Sequence, residues 1–144
     1  MNILNKKSGF TLMEMMITVI IISLLAAAAV PYYKDYVERQ KAAIGVTDLK
    51  MIADSIERYM ALHSETVPTN LALLDADIDR AKLANGNTTY NNGSFTFSIG
   101  DFEVIGARNT GEYTLHFNFN EDSANYGLSC TSSDPEVCTD KLKI

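Results

Sequence analysis

Glu14 lies inside an apolar run from Phe10 to Val30 whose only other polar side chains are Thr11, Thr18 and Ser23. A carboxylate within hydrocarbon costs a few kcal/mol on insertion scales, so it is protonated or finds a partner. Cleavage after Gly9 would supply one, because the new α-amine of Phe10 would lie in the same apolar zone. The simpler reading leaves Glu14, near the start of the run, in the headgroup region at little cost. Asp75, Asp77 and Asp79 alternate as carboxylates do at the opening of a calcium loop. The sixth position of that loop is Arg80 rather than glycine, and the twelfth is Gly86 rather than an acid, which favours a solvated acidic loop over a metal site. Cys130 and Cys138 are the only cysteines; zinc would need more ligands, and His63 and His116 lack the spacing. No triad signature, phosphate loop or metal cluster is present, so the sequence offers no catalytic residues, no metal site and no cofactor. An enzyme reading has nothing to rest on.

The element that positions Glu14 is the apolar run itself. It has about 21 residues, and at 1.5 Å each a helix of that length crosses a hydrocarbon core of roughly 30 Å. Lys6 and Lys7 precede it and no base follows until Lys34, which predicts a cytoplasmic N-terminus and residues 32–144 on the far side. An ordinary secretory signal is cut after its apolar region. Here the attractive cut precedes it, so a mature chain beginning at Phe10 keeps its anchor. Tyr32, Tyr33 and Tyr36 fall where a helix leaves the membrane, and Pro31 predicts a kink or loosening. The helical pattern then resumes. Leu49, Ile52, Ile56, Tyr59 and His63 recur at three and four residues, with charged residues filling much of the remainder. Gly45 weakens the middle by about 1 kcal/mol relative to alanine and marks a candidate bend. Phe10 to about His63 therefore reads as one interrupted helix, apolar all round in its first half and amphipathic in its second.

Val67-Pro68-Thr69-Asn70 stops that helix, and Thr69 or Asn70 is placed to cap a short helix over Leu71–Leu74. Asn85-Gly86-Asn87 and Asn91-Asn92-Gly93 are turn sequences, which account for Asn87-Thr88-Thr89 and Asn92-Gly93-Ser94 without invoking glycosylation. Beyond them the period is two. Phe95, Phe97 and Ile99 alternate with polar residues, and Gly100-Asp101 predicts a type II′ hairpin turn. Phe102–Ile105 gives a second strand, and Arg108–Gly111 a longer turn. Tyr113, Leu115, Phe117 and Phe119 mark the clearest half-buried strand, and Ala124–Cys130 a fourth. The expected fold class is α+β: a long N-terminal helix packed on a three- to four-stranded antiparallel sheet with meander connections.

The 144 residues carry a formal charge of −6, or −8 once Lys6 and Lys7 leave with residues 1–9. That balance argues against nucleic acid as a partner through backbone neutralisation, although it leaves a local basic patch open. With the C-terminal region outside the cytoplasm, Cys130 and Cys138 are expected to form a disulfide, with Asp134-Pro135 supplying the turn. A bridge closing so short a loop contributes about 2–3 kcal/mol in the chain-entropy model.

Lys6-Lys7-Ser8-Gly9, then Phe10-Thr11-Leu12-Met13-Glu14, then an apolar helix ending at Pro31, resembles the N-terminus of a type IV prepilin. The pseudopilins of type II secretion share this signature. The resemblance implies a leader over residues 1–9, removed by a prepilin peptidase that also methylates the new N-terminal Phe10. It implies a transmembrane and assembly helix over 10–31, and a globular pilin domain over 32–144 that includes the amphipathic helix. Glu14 stands at the family's fifth mature position, where the acid pairs with the N-terminal amine of a neighbouring subunit. Implied partners are further copies of the chain in a helical polymer, other pilins, an inner-membrane assembly platform, and membrane lipid before assembly. The implied localisation is single-pass inner membrane, then an extracellular fibre for adhesion, motility or DNA uptake. A cysteine pair near the C-terminus encloses an exposed loop in such pilins, and Cys130 and Cys138 match that placement. Two alternatives stand beside this reading: a pseudopilin working in a short periplasmic pseudopilus, and a membrane-tethered binding protein that never polymerises.

Overall fold

The computed structural model describes residues 9–120 and 122–142, so the expected leader up to Ser8, with Lys6 and Lys7, lies outside the described residues. Helix α1 spans Leu12–Leu62. Two 3-10 turns follow, Leu71–Leu73 and Arg80–Lys82. Six strands come next: β1 (Leu83–Ala84), β2 (Thr89–Asn91), β3 (Phe95–Ile99), β4 (Glu103–Arg108), β5 (Tyr113–Asn118) and β6 (Gly127–Ser132), before a short π-helical segment at Val137–Leu142. The chain divides into two units, Met1–Val37 and Glu38–Ile144.

In the first unit the helix runs through Pro31 without the interruption expected there. Proline removes one backbone donor, and the alanines from Ala26 to Ala29, the best helix formers, carry the helix up to it. Every residue from Gly9 to Tyr36 is exposed, large apolar side chains included.

In the second unit the helix buries one face. Ala42, Gly45, Leu49, Ile52, Ala53, Ser55 and Ile56 are buried at helical spacing, and Tyr59 and Met60 pack at the margin of the same core. His63 is exposed, one turn beyond the end of that stripe. Gly45 is a point of contact rather than a bend. A Cβ there would stand 2.7 Å from the Phe95 ring, so the missing side chain is what admits the phenyl group. Gly106 on β4 does the same from the sheet side, where a Cβ would meet Phe97 at 2.9 Å and Leu49 at 3.0 Å. Two glycines on facing elements let helix and sheet close on large aromatic residues.

The sheet is a pure antiparallel meander in the order β1-β2-β3-β4-β5-β6. Its register aligns Phe97 with Gly106, Gly106 with Leu115, and Leu115 with Cys130, so these side chains share the face that packs on the helix. Six strands replace the expected three or four. The extra pair, β1 and β2, has two and three residues, too few for an alternation to be visible in the sequence. The turn between them was legible: Asn85, Gly86 and Asn87 all adopt positive φ. At Gly100-Asp101 the two-residue turn is replaced by a three-residue loop, Gly100–Phe102, closed by the Gly100 amide donating to the Glu103 carbonyl at 2.8 Å. Phe102 takes the left-handed position (φ 59°) in place of a glycine, so it belongs to the loop and not to β4. β6 runs Gly127–Ser132 rather than Ala124–Cys130, and the short helix after Asn70 is a single 3-10 turn.

Candidate assembly site

The two ends of the chain hold the principal candidate residues, and each end is built differently. At the start of α1, Thr11 and Glu14 form a reciprocal cap. Thr11 Oγ1 accepts from the Glu14 amide at 3.2 Å, while the Thr11 amide and hydroxyl both donate to Glu14 Oε2 at 2.9 Å. This is a capping box, in which a Thr and the Glu three residues on satisfy each other's free backbone donors. It was readable in Thr11-Leu12-Met13-Glu14, and the lone-acid reading of Glu14 missed it. Glu14 is therefore not without a partner inside its own chain. Both Thr11 donors reach Oε2, and Oε1 receives none among the described residues. Thr18 and Ser23 hide their hydroxyls by donating to the carbonyls of Glu14 and Val19 within the helix. From Leu12 to Val30 the helix surface is thereby left apolar apart from the acid at its head. Gly9 has open space around it and Phe10 is 79% exposed.

At the other end of the chain, Cys130 of β6 and Cys138 of the π-helical segment are disulfide-bonded, with Cα atoms 5.9 Å apart. The expected turn forms between them: the Val137 amide donates to the Asp134 carbonyl at 3.1 Å, and the Asp134 side chain accepts from the Glu136 amide. Cys138, Leu142 and Val137 face the core, and residues 133–136 stand in solvent. The loop is held at both ends and exposed in the middle.

A polar cluster that the sequence did not announce ties Glu38 of α1 to the sheet. Arg108 Nε donates to Glu38 Oε1 at 2.5 Å and Nη2 to Oε2 at 3.2 Å. The Tyr113 hydroxyl adds a bond to Oε1 at 3.1 Å, and Nη1 donates to the Ser94 carbonyl. The Arg108 guanidinium also lies 5.4 Å from the centre of the Phe95 ring. Burial pushes the Glu38 carboxyl up, but the hydrogen bonds and charge of Arg108, with the Tyr113 hydroxyl, outweigh it and hold Glu38 below the usual carboxylate range. Burial and the nearby Glu38 charge push the Tyr113 phenol well above its ordinary value. A lone Glu38 and a lone Arg108 seventy residues apart carry no local signal, which is why pattern reading misses them.

The remaining candidates have structural partners. Asp75 takes a bidentate pair from Arg58, Asp79 caps the Arg80–Lys82 turn, and Leu74 before the acids and Ala76 and Ile78 between them are buried. Among the described residues no group of three or more His, Cys, Asp or Glu is placed to hold a metal. His63 stacks on Tyr59, and His116 lies between Glu103 and Thr131 on the outer face of the sheet.

Comparison with known proteins agrees with the head of the helix. Residues 4–30 match a family described as the prokaryotic N-terminal methylation motif. A type IV major fimbrial protein of Dichelobacter nodosus is 39% identical over 82 residues, 54% of this chain and 51% of that protein. A second protein from Dichelobacter nodosus bearing that name is 56% identical over 55 residues, 38% of this chain and 32% of its own. Fimbrial protein Q of Moraxella bovis is 30% identical over 121 residues, which cover 84% of this chain and 76% of the Moraxella protein. The chain belongs to the type IV pilin family. Membership makes this pilin a structural subunit and not an enzyme, and its fold is the expected one, a long helix packed on an antiparallel sheet. The pilin spans about half the length of the first Dichelobacter relative (51%) and less of the second. No solved structure matches it.

Proposed function

We propose that this pilin is made as a prepilin, cleaved after Gly9 and N-methylated on Phe10 by a prepilin peptidase, then polymerised through α1 into a type IV pilus. In this reading residues 1–9 are the leader, 10–31 the membrane and assembly helix, and 32–144 the globular domain. The N-terminus faces the cytoplasm before assembly, membrane lipid surrounds the helix, and an inner-membrane platform passes subunits into a fibre outside the cell.

One observation carries the proposal: an apolar helix start, exposed from Leu12 to Val30, with an acid in its first turn whose Oε1 receives no bond among the described residues. Such a surface is at ease in hydrocarbon and costly in water, at about 25 cal/mol per Å² of apolar area. Leaving the bilayer therefore requires a substitute apolar cover, and copies of the same helix supply it. Small residues from Ala26 to Ala29 suit close helix approach. A neighbour's Phe10 amine meeting Glu14 would neutralise two charges that are each expensive alone, and would set one register between subunits.

N-terminal mass spectrometry of the mature chain tests the cleavage, with a methylated Phe10 as the expected terminus and any other terminus refuting it. Electron microscopy of cells with and without the gene tests the fibre. Long surface fibres containing this chain support the pilus. Short periplasmic assemblies support a pseudopilus, and a purified chain found only as membrane monomers supports the tethered binding protein.

A further inference from the structure

The chain contains two Asn-Gly pairs, Asn85-Gly86 and Asn92-Gly93, and the fold treats them oppositely. Asparagine before glycine is chemically labile. The glycine amide nitrogen attacks Cγ of the asparagine side chain, ammonia leaves, and a five-membered succinimide forms. Water then opens the ring at either carbonyl, giving aspartate or, with the backbone rerouted through the side chain, isoaspartate. No oxidant, cofactor or enzyme takes part. The step requires the side chain to rotate until Cγ faces the next amide, and it is fastest where that amide has no Cβ beside it.

At Asn92 both ends of the side chain are held. Oδ1 accepts from the Ser94 amide at 2.9 Å and the Phe95 amide at 2.8 Å, and Nδ2 donates to Asp48 Oδ2 at 2.6 Å. Turning Cγ toward Gly93 breaks all three bonds, including the link to the helix. At Asn85 the side chain is exposed, and Nδ2 makes one surface contact, to Thr89 Oγ1 at 3.2 Å, for which water substitutes readily. Gly86 has positive φ (67°) and open space where a Cβ would stand. We infer that Asn85 is a site of spontaneous modification, deamidating through a succinimide with Gly86, while Asn92 is held unreactive by Asp48 and the Ser94 and Phe95 amides.

The product matters locally. Either form adds a negative charge to a chain already at −6. Isoaspartate also inserts a methylene into the backbone of a turn that joins only two rungs, Leu83 with Tyr90 and Ala84 with Thr89. The same turn receives the Leu71 amide on the Asn87 carbonyl at 2.8 Å, so the lesion loosens the β1–β2 edge and its tie to the first 3-10 turn.

The test incubates the purified full-length chain in detergent at mildly alkaline pH and follows both peptides by mass spectrometry, with isoaspartate labelled by its methyltransferase. Asn85 is expected to convert with time and Asn92 to lag by on the order of a hundredfold, the equivalent of three net hydrogen bonds. Hydroxylamine, which traps the succinimide, should cleave the native chain after Asn85 and spare Asn92, whereas in denaturant it should cleave at both. Equal rates at the two sites in the native chain overturn the inference, as does an Asn85 that reacts only after denaturation. Asp48→Ala is expected to accelerate conversion at Asn92 and leave Asn85 unchanged; an unaltered Asn92 rate removes Asp48 from the protection.

Discussion

At the scale of single residues, Glu38 and Glu14 show two ways of giving a carboxyl group hydrogen-bond partners. Glu38 receives Arg108 and Tyr113 at the edge of the core, with the Arg108 side chain 5% exposed and that of Glu38 27% exposed. Removing the arginine leaves a carboxylate half-stranded. Arg108→Ala should cost about 3 kcal/mol, the low end for breaking a buried pair because Glu38 retains some water, as read by denaturant unfolding of the detergent-solubilised chain. The pH dependence follows from the direction of the Glu38 shift. Its folded value lies below the ordinary 4.5, so its stabilisation is complete above that pH and is lost as pH falls through the lowered value. The wild-type chain should lose stability below pH 4.5 more steeply than Arg108→Ala; parallel acid limbs would contradict the assignment. Glu14 is held by Thr11 alone within its chain. Glu14→Ala removes half of the capping box and the proposed intersubunit charge, so it should insert normally and assemble poorly. A normal fibre yield from that variant would sink the pairing.

At the scale of elements, the joint between helix and sheet depends on what is missing at Gly45. Alanine there would gain about 1 kcal/mol of helix propensity, and on an exposed face it would stabilise. Against the Phe95 ring at 2.7 Å it overpacks, at a typical 1–3 kcal/mol. Gly45→Ala is therefore expected to lower the unfolding midpoint, and a raised midpoint would show that Phe95 moves aside freely. The disulfide joins two other elements, β6 and the π-helical segment. Replacing both Cys130 and Cys138 by serine should cost about 2–3 kcal/mol and open residues 133–136 to proteolysis, with the sheet retained by circular dichroism.

At the scale of the whole molecule, the acidic balance becomes a property of the fibre. If residues 1–9 are removed as proposed, each subunit would carry a formal −8, and like-charged filaments would repel across distances set by the Debye length, about 8–10 Å near physiological salt. Purified filaments should stay dispersed at low ionic strength and bundle as salt rises, as followed by light scattering. Bundling that weakens with added salt would point to attraction between opposite charges instead.

The sequence by itself determined the head of the helix, the apolar and amphipathic halves of α1, the strands from β3 to β5 and the cysteine pair. Each is written in neighbouring residues or in a period of 3.6 or 2, so local patterning suffices. The capping box at Thr11 and Glu14 is equally local, written in a Thr and the Glu three residues on. Only the tertiary structure decided the rest. Gly45 became a seat for Phe95 because a side chain fifty residues away fills the space it leaves, and no propensity records that. Arg108 became buried because Glu38, Tyr113 and the Ser94 carbonyl converge on it from the helix and the sheet. The hairpin of β1 and β2 exists because its neighbour β3 offers an edge to pair with, not because five residues prefer to be strands. The same distinction separates the two Asn-Gly pairs, identical as dipeptides and told apart only by Asp48 reaching across from the helix.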